Sequence, residues 1–428
     1  MIPVEAYVAD LLAGITALEP VEVDVADALG CVLADDVVAR HAVPPFTNSA
    51  MDGFALRAAD LGDLDPATEA VPGADSSEPT TPITLPVAGD IAAGDNAVYR
   101  CEPGQAWRIM TGARVPEGAD TVVKVEDTTT PAGIVALPDE VTILRVPRAG
   151  ANVRHAGEDC RVGDVIIRRG EILSPAALSS AASVGYARLK VRPRVRVGVV
   201  STGDELVSAG NDLDLAQIPD SNSVLLRALL ERADADVVTV THSGDDAEEF
   251  AATLARMCAD VDLIVTSGGV SAGAYDVVKA AADTIDLRFN QVAMQPGKPQ
   301  GFGRVRAGDN SALLCALPGN PVSVFVSFHV FVRPVLAALT GRGDAAQAVT
   351  VAATTSSGWR SPAGKRQFVP VHVTWPRQAG NTPIARPTHR LGSRSHFVAS
   401  LHEATGLAVI AEDVTDVAAW SIIDVIVV

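Results

Sequence analysis

The sequence predicts an α/β multidomain protein: a central doubly wound, mostly parallel sheet with β-rich regions before and after it. Three observations carry this reading. Between residues 193 and 342 the strand-like runs VRVGVV, DVVTV, DLIVTS and SALLCAL alternate with helical stretches at 221–234, 246–259, 275–283 and 321–339, the alternation that builds a parallel sheet wrapped by helices. On either side, short β-type runs are separated by glycine and proline turns. The chain is 428 residues long, 48% hydrophobic and 20% charged, sufficient for several cores and about three domains at ~150 residues each.

Taken in order, the chain opens with a helix: Pro3 stands at its first turn, and Val4, Tyr7, Val8, Leu11 and Leu12 follow at helical spacing. Val21 to Val38 alternates toward strand. The segment from about 64 to 84, rich in Pro, Thr, Ala and Ser, reads as a loop excursion. Residues 85–147 hold short β runs with turns at Gly89-Asp90, Gly94-Asp95, Pro103-Gly104 and Pro116-Glu117-Gly118, the pattern of a small β domain. After Gly343 come VTVAATT, QFVPVHVTW, GLAVIAE and SIIDVIVV, a C-terminal β domain of about 85 residues.

Composition narrows the function. The 34 basic residues stand against 52 acidic ones, a formal net charge of −18, which opposes nucleic-acid binding while leaving room for a small anion in a local basic pocket. Five scattered cysteines without a CxxC pair argue against a disulfide scaffold or a zinc site and fit a reducing, cytoplasmic compartment. The N-terminus carries Glu5 and Asp10 and no basic leader, so it does not read as a signal peptide. Ser311 to Val332 has no formal charge, but Pro318-Gly319-Asn320-Pro321 cuts it into a strand and a helix. It reads as core, not as a membrane span, which needs ~20 unbroken apolar residues.

Ligands of open parallel sheets bind at the carboxyl ends of the strands. Three such ends carry polar, glycine-containing loops directly before helices: Ser201-Thr202-Gly203-Asp204-Glu205, Ser267-Gly268-Gly269-Val270-Ser271, and Pro318-Gly319-Asn320-Pro321-Val322-Ser323. Free backbone N–H groups and the helix dipole favour anions there. One such turn is an ordinary connection; three in one unit converge on one rim. Glu205, Asp245 and Asp276 lie nearby, and Mg²⁺ prefers carboxylates together with phosphate oxygens. A phosphate-bearing ligand with Mg²⁺ follows from these residues, but not the reaction. A further segment, Gln295-Pro296-Gly297-Lys298-Pro299-Gln300-Gly301-Phe302-Gly303, packs prolines and glycines around one lysine and reads as a rigid loop presenting Lys298 as a point charge for an oxyanion.

Together these loops resemble the molybdopterin molybdenumtransferases, which insert molybdate into molybdopterin, and the E domain of gephyrin. The most specific stretch is Pro44-Pro45-Phe46-Thr47-Asn48-Ser49-Ala50-Met51-Asp52-Gly53-Phe54-Ala55, followed in order by Arg108-Ile109-Met110-Thr111-Gly112-Ala113, Gly157-Glu158-Asp159 and the STGDEL, SGGVS, PGKP and LPGNPVS segments. The resemblance implies a four-domain homodimer. Residues 1–45 and 148–192 would form a discontinuous elongated domain for dimerisation, with 46–147 as an inserted β domain. Residues 193–342 would be the molybdopterin-binding domain and 343–428 a barrel-like β domain. The cleft would be shared between subunits.

The resemblance also implies roles. The catalytic set would be Asp52, Thr111, Asp159, Glu205 and Asp276, with Glu205, Asp245 and Asp276 as Mg²⁺ ligands; Asp246, beside Asp245, leaves that assignment open by one residue. Ser267, Gly268, Gly269, Ser271, Gly319 and Asn320 would hold the phosphates of adenylylated molybdopterin. Lys298, Pro299, Ser323, Ser393 and Gln295 would line the molybdate pocket. The chain departs from the family where Gln291 and Gln295 replace lysines and Pro370 replaces an arginine, with Arg366, Arg390 and Arg394 as alternative cations. The implied activity is molybdate insertion with release of AMP, possible partners being an upstream adenylyltransferase and molybdoenzyme acceptors. Rival readings are a molybdopterin adenylyltransferase, a gephyrin-like scaffold, and a paralogue adapted to tungstate.

Overall fold

The computed structural model describes residues 1–62, 76–77, 82–270, 278, 285–342, 349–378, 380, 382–389 and 394–428. The helical stretch expected at 275–283 lies, apart from Val278, outside the described residues.

At the centre is a six-stranded sheet. In spatial order it runs Asp236–Ser243, Arg196–Thr202, Leu263–Ser267, Asn310–Leu317, Pro299–Ala307 and Asp286–Gln291. The first four are parallel; Pro299–Ala307 runs antiparallel to both of its neighbours, so Asp286–Gln291 again runs with the first four. Leu263–Ser267 is buried throughout and Arg196–Thr202 is buried from Val197 onward, because both faces of the sheet are covered. Successive side chains feed opposite cores. Val197, Val199, Leu263, Val265 and Cys315 pack with Leu226 and Leu230 of the helix Ser221–Arg232 and with Phe325 and Phe328. Val200, Ile264 and Leu314 pack with Phe250 and Leu254 of the helix Ala247–Met257. The uncharged stretch forms the strand Asn310–Leu317 and the helical run Pro321–Leu339, whose mean hydropathy of 1.9 goes with 89% burial. As expected, it is core.

The last two strands correct the sequence reading. Pro299–Ala307 is a strand, so the rigid loop around Lys298 ends at Pro299. Its glycines had the look of a loop, yet they serve close strand approach: a Cβ at Gly303 would collide with the Asp286 carbonyl of the neighbouring strand.

The helix Val4–Leu12 buries Val4, Tyr7 and Leu11, with Pro3 as its N-cap. Val21 to Val38 is interrupted, forming strands at Val21–Asp24, Val32–Leu33 and Val37–Val38. The first two flank Arg188–Arg192, and the third pairs with Val165–Ile167. Between them a five-stranded sheet runs Glu140–Ile143, Ile83–Ile91, Ala106–Ile109, Gly53–Leu56 and Thr121–Lys124. Two turn assignments change here. Gly89-Asp90 lies inside a strand at a register shift, where a Cβ on Gly89 would meet the Trp107 ring at 2.6 Å. Ser76–Ser77, within the expected excursion, pairs with Val146–Pro147.

The C-terminal region closes into a five-stranded barrel. Arg366–Thr374, Ile384–Pro387, Thr350–Thr355, Ile422–Val427 and Gly406–Ile410 pair in turn, and Gly406–Ile410 returns to Arg366–Thr374. Ile384–Pro387 went unread because four residues ending in proline give almost no β signal. Met294–Gln295 pairs with Arg366–Gln367 and joins the central unit to the barrel. All five cysteines are free and buried.

Candidate active site

The rim is built where three parallel strands end. Gly203 follows the first strand at φ +131°, and Gly268 and Gly269 follow the third at φ +101° and +65°, conformations that favour glycine. The loops also interlock. A Cβ on Gly268 would stand 2.6 Å from Thr202 Oγ1, and one on Gly319 would stand 3.3 Å from Gly268 Cα. Asn222 at the start of its helix donates from Nδ2 to the Gly319 carbonyl at 2.6 Å.

These loops wall a cleft of about 920 Å³. It is lined by Glu205, Asp220 and Asp245, by Ser267, Gly268, Gly269, Gly319 and Asn320 of the rim, and by Gln295, Lys298, Pro299 and Ser323. Ser271, Asp276 and Ser393 lie outside the described residues.

Each cleft side chain has a local reason for its place. Asp220 caps the helix Ser221–Arg232, accepting from the Asn222 and Ser223 amides at 3.1 and 3.0 Å. Asp246 caps the helix Ala247–Met257 through the Glu249 amide at 2.8 Å. That engagement leaves Asp245, not Asp246, as the carboxylate on the cleft. Glu205 folds its carboxylate over Gly203, where a Cβ would clash with it. Lys298 is exposed and forms no ion pair among the described residues. Its bend is bolted down by Gln300, 1% exposed, which donates to the Gly297 carbonyl and to Ser327 Oγ, both at 2.7 Å.

Two buried polar atoms of cleft-lining residues have no partner among the described residues: Ser267 Oγ and Asn222 Oδ1. Buried polar atoms are ordinarily satisfied, so these mark places for a polar ligand. Asn222, Ser395 and His396 escaped the sequence reading, and Gln300 entered it only as part of the loop around Lys298. Ser395 and His396 also line the cleft, and the Ser395 carbonyl accepts from the Val322 amide at 3.0 Å. One N–H expected to be free for phosphate at this helix start is thereby occupied.

Three family profiles cover most of the chain: MoeA N-terminal region (domain I and II) over residues 2–185, "Probable molybdopterin binding domain" over 198–338, and MoeA C-terminal region (domain IV) over 352–428. Molybdopterin molybdenumtransferase 2 of Mycobacterium tuberculosis is 44% identical over 94% of this chain and 94% of its own length. The chain belongs to the MoeA family. Molybdopterin molybdenumtransferase of Haemophilus influenzae is 36% identical over 74% of this chain and 72% of its own. A crystal structure of molybdopterin biosynthesis moea protein from Pyrococcus horikosii superposes with a TM-score of 0.75 at 26% identity, covering 100% of this chain and 99% of that one.

Within this MoeA chain the N-terminal candidates lie elsewhere. Asp52 accepts from the Thr111 amide at 2.6 Å and from Thr111 Oγ1 at 2.7 Å, and these bonds hold its carboxyl below the usual range. Asp159 is exposed, its amide donating to the Val43 carbonyl at 2.9 Å. None of the three lines the cleft of its own chain.

The candidate cations separate clearly. Arg366 is committed to Glu5 and to Glu412, the latter at 3.1 Å. Arg390 lies outside the described residues. Arg394 lines a second pocket of about 950 Å³ at the barrel, which shares Gln295 with the cleft. Gln291 pairs with Pro299 in the sheet, and Pro370 is buried in a barrel strand.

Proposed function

We propose that this chain is a molybdopterin molybdenumtransferase that inserts molybdate into adenylylated molybdopterin and releases AMP in a Mg²⁺-dependent reaction. One observation carries the reading: three glycine-bearing strand ends, the carboxylates of Glu205, Asp220 and Asp245, and Lys298, which has no ion pair among the described residues, line a single cleft. The names of the relatives support the molybdenum-transfer step.

In this reading the nucleotide phosphates lie along Gly268, Gly269 and Gly319, where no side chain keeps them from the backbone. Ser267 Oγ donates to a phosphate oxygen, and Asn222 Oδ1 accepts from a ligand N–H or hydroxyl. Lys298 offers a point charge to the oxyanion, and Ser323 a hydroxyl.

The donor set fits Mg²⁺. Glu205 and Asp245 are hard oxygen ligands, and neither carboxylate has a hydrogen-bond partner among the described residues. Mg²⁺ takes such oxygen donors and shares its coordination shell with substrate phosphate. Asp276 is proposed as the further ligand. Bound there, Mg²⁺ offsets phosphate charge and polarises the scissile bond.

The family resemblance further supports a homodimer in which Asp52, Thr111 and Asp159 face the partner's cleft. The proposed division takes 1–45 with 148–192 as one unit, and the pairing of Val21–Asp24 with Arg188–Arg192 supports it. The experiment is AMP release from adenylylated molybdopterin, with and without Mg²⁺, with molybdate or tungstate, for wild type and Glu205→Gln. Mg²⁺- and molybdate-dependent release that Glu205→Gln abolishes is expected. Release indifferent to the oxyanion, or intact in Glu205→Gln, overturns the reading. Light scattering tests the dimer.

A further inference from the structure

We infer that the pocket at the mouth of the C-terminal barrel is an oxyanion site that holds the tetrahedral dianion substrate beside the cleft. The inference rests on the molybdate-transfer reading and extends the oxyanion contacts that reading gives to Lys298 and Ser323 onto the barrel side of Gln295, where it assigns nothing.

The two cavities differ in charge. The cleft is lined by Glu205, Asp220 and Asp245 against Lys298. The barrel pocket, about 950 Å³, is lined by Arg360, Arg386 and Arg394, with no carboxylate among its described lining residues. In a protein of net charge −18, the cleft offers a dianion Lys298 beside three carboxylates, whereas the barrel pocket offers it arginines without them.

The arginines are not equally available. Arg386 donates to Glu403 at 2.5 Å. Among the described residues Arg360 pairs with Asp416 alone, 3.7 Å away, and both side chains are mostly exposed, so that pair is weak. Arg394 forms no ion pair among the described residues, and its guanidinium stands 5.9 Å from the Phe397 ring centroid. A planar fork of N–H donors in this state suits a tetrahedral oxyanion.

A second observation points to a ligand independently. Ser361 lines the same pocket at 7% exposure, and its Oγ has no partner among the described residues. A hydroxyl buried in this way lacks the hydrogen bond that an oxyanion would supply.

The pocket also adjoins the cleft. Gln295 lines both cavities. Phe397 stands between them, with His389 of the barrel pocket at 3.9 Å between ring centroids and His396 of the cleft at 4.7 Å. The positive charge absent at Gln291, Gln295 and Pro370 is thus restored from Arg394, on the barrel side of Gln295.

The test is calorimetric titration of the full chain with molybdate alone, at low salt, for wild type, Arg394→Gln, Ser361→Ala and Lys298→Gln, with thermal melting as the folding control. Arg394→Gln is expected to weaken molybdate binding by about tenfold or more and Ser361→Ala by about threefold, each figure being of the size one lost polar contact produces. Both variants should bind AMP as wild type does. Unchanged molybdate affinity in Arg394→Gln and Ser361→Ala, or a loss confined to Lys298→Gln, overturns the inference while leaving the transferase reading intact. Absence of molybdate binding in wild type also overturns it. Inorganic phosphate is the competing source: phosphate binding as tightly as molybdate, with an unchanged molybdate KM for AMP release in Arg394→Gln, overturns the substrate assignment. Arg394-dependent molybdate binding by a chain that never releases AMP supports the site and overturns the transferase reading.

Discussion

Substituting alanine for Gly268 tests the rim most directly, because the structure separates two costs. The first is conformational. Gly268 sits at φ +101°, and an L-residue in left-handed backbone costs about 1–2 kcal/mol. The second is steric. The new Cβ would lie 2.6 Å from Thr202 Oγ1 and 2.8 Å from the Thr202 carbonyl oxygen. Thr202 is 5% exposed and ends a central strand, so it has little room to retreat, and overpacking of this kind costs about 1–3 kcal/mol. Gly210 supplies the control: its φ is +94°, yet nothing lies within 4 Å of its Cβ position. Gly210→Ala should therefore carry only the first cost. In urea denaturation followed by circular dichroism, Gly268→Ala should fall below Gly210→Ala by about 1–3 kcal/mol. A loop pushed off Thr202 also displaces Gly319, so AMP affinity should drop by about tenfold or more in Gly268→Ala alone. Equal denaturation midpoints and equal AMP affinities in the two variants would refute the interlocked rim.

Three other outcomes are expected. Asp245→Asn should raise the Mg²⁺ concentration needed for AMP release by about tenfold or more without lowering stability, whereas Asp246→Ala should lose about 1 kcal/mol of helix capping and leave the Mg²⁺ requirement alone; the reverse pattern would restore Asp246 as the ligand. His329 is 6% exposed, both its ring nitrogens lack partners among the described residues, and burial pushes its pKa down to about 3. A base depressed in the fold stays neutral there while the unfolded chain protonates below about 6.5, so wild type should lose up to about 1.4 kcal/mol per pH unit as pH falls from there toward about 3. His329→Leu should flatten that slope, and parallel pH profiles would count against the burial argument. Thr111→Val removes the Oγ1 donor to Asp52, so the Asp52 midpoint followed by NMR should rise toward the ordinary value near ~3.9. The stability linked to that carboxylate, present above the unfolded value and lost as pH falls through the folded one, should then shrink.

The rim was legible because its chemistry is local. A buried β run, a glycine-bearing polar turn and a helix start are contiguous in sequence, and the doubly wound topology brings their ends together. What pins those loops was not legible. Asn222 reaches Gly319 across 97 residues and Gln300 reaches Ser327 across 27, and no periodicity announces such pairs. Pro299–Ala307 failed for a different reason: proline and glycine favour turns, but here they serve the close spacing of neighbouring strands. Which of Asp245 and Asp246 caps the following helix needed the geometry, since either residue could do so and Asp246 does.

Charge placement follows the same division between what is local and what is not. Arg366, Arg390 and Arg394 are equivalent by composition, and only packing tells them apart. The helix Val4–Leu12 brings Glu5 to Arg366, where Glu412 also lies, so that arginine joins the N-terminal helix to the barrel and is not free for a ligand. Arg394 has no such partner among the described residues and lines a pocket without carboxylates. A metal site needs acids close together, and an oxyanion site needs them far away; one cavity cannot serve both well without the cation filling it. On the proposed reading, Glu205 and Asp245 in the cleft hold the divalent cation and the arginines at the barrel mouth hold the dianion beside it, with neutral Gln295 lining both cavities. On this reading Gln295 is suited to its place because it is uncharged: a lysine there would oppose the metal on one side while adding to arginines already sufficient on the other.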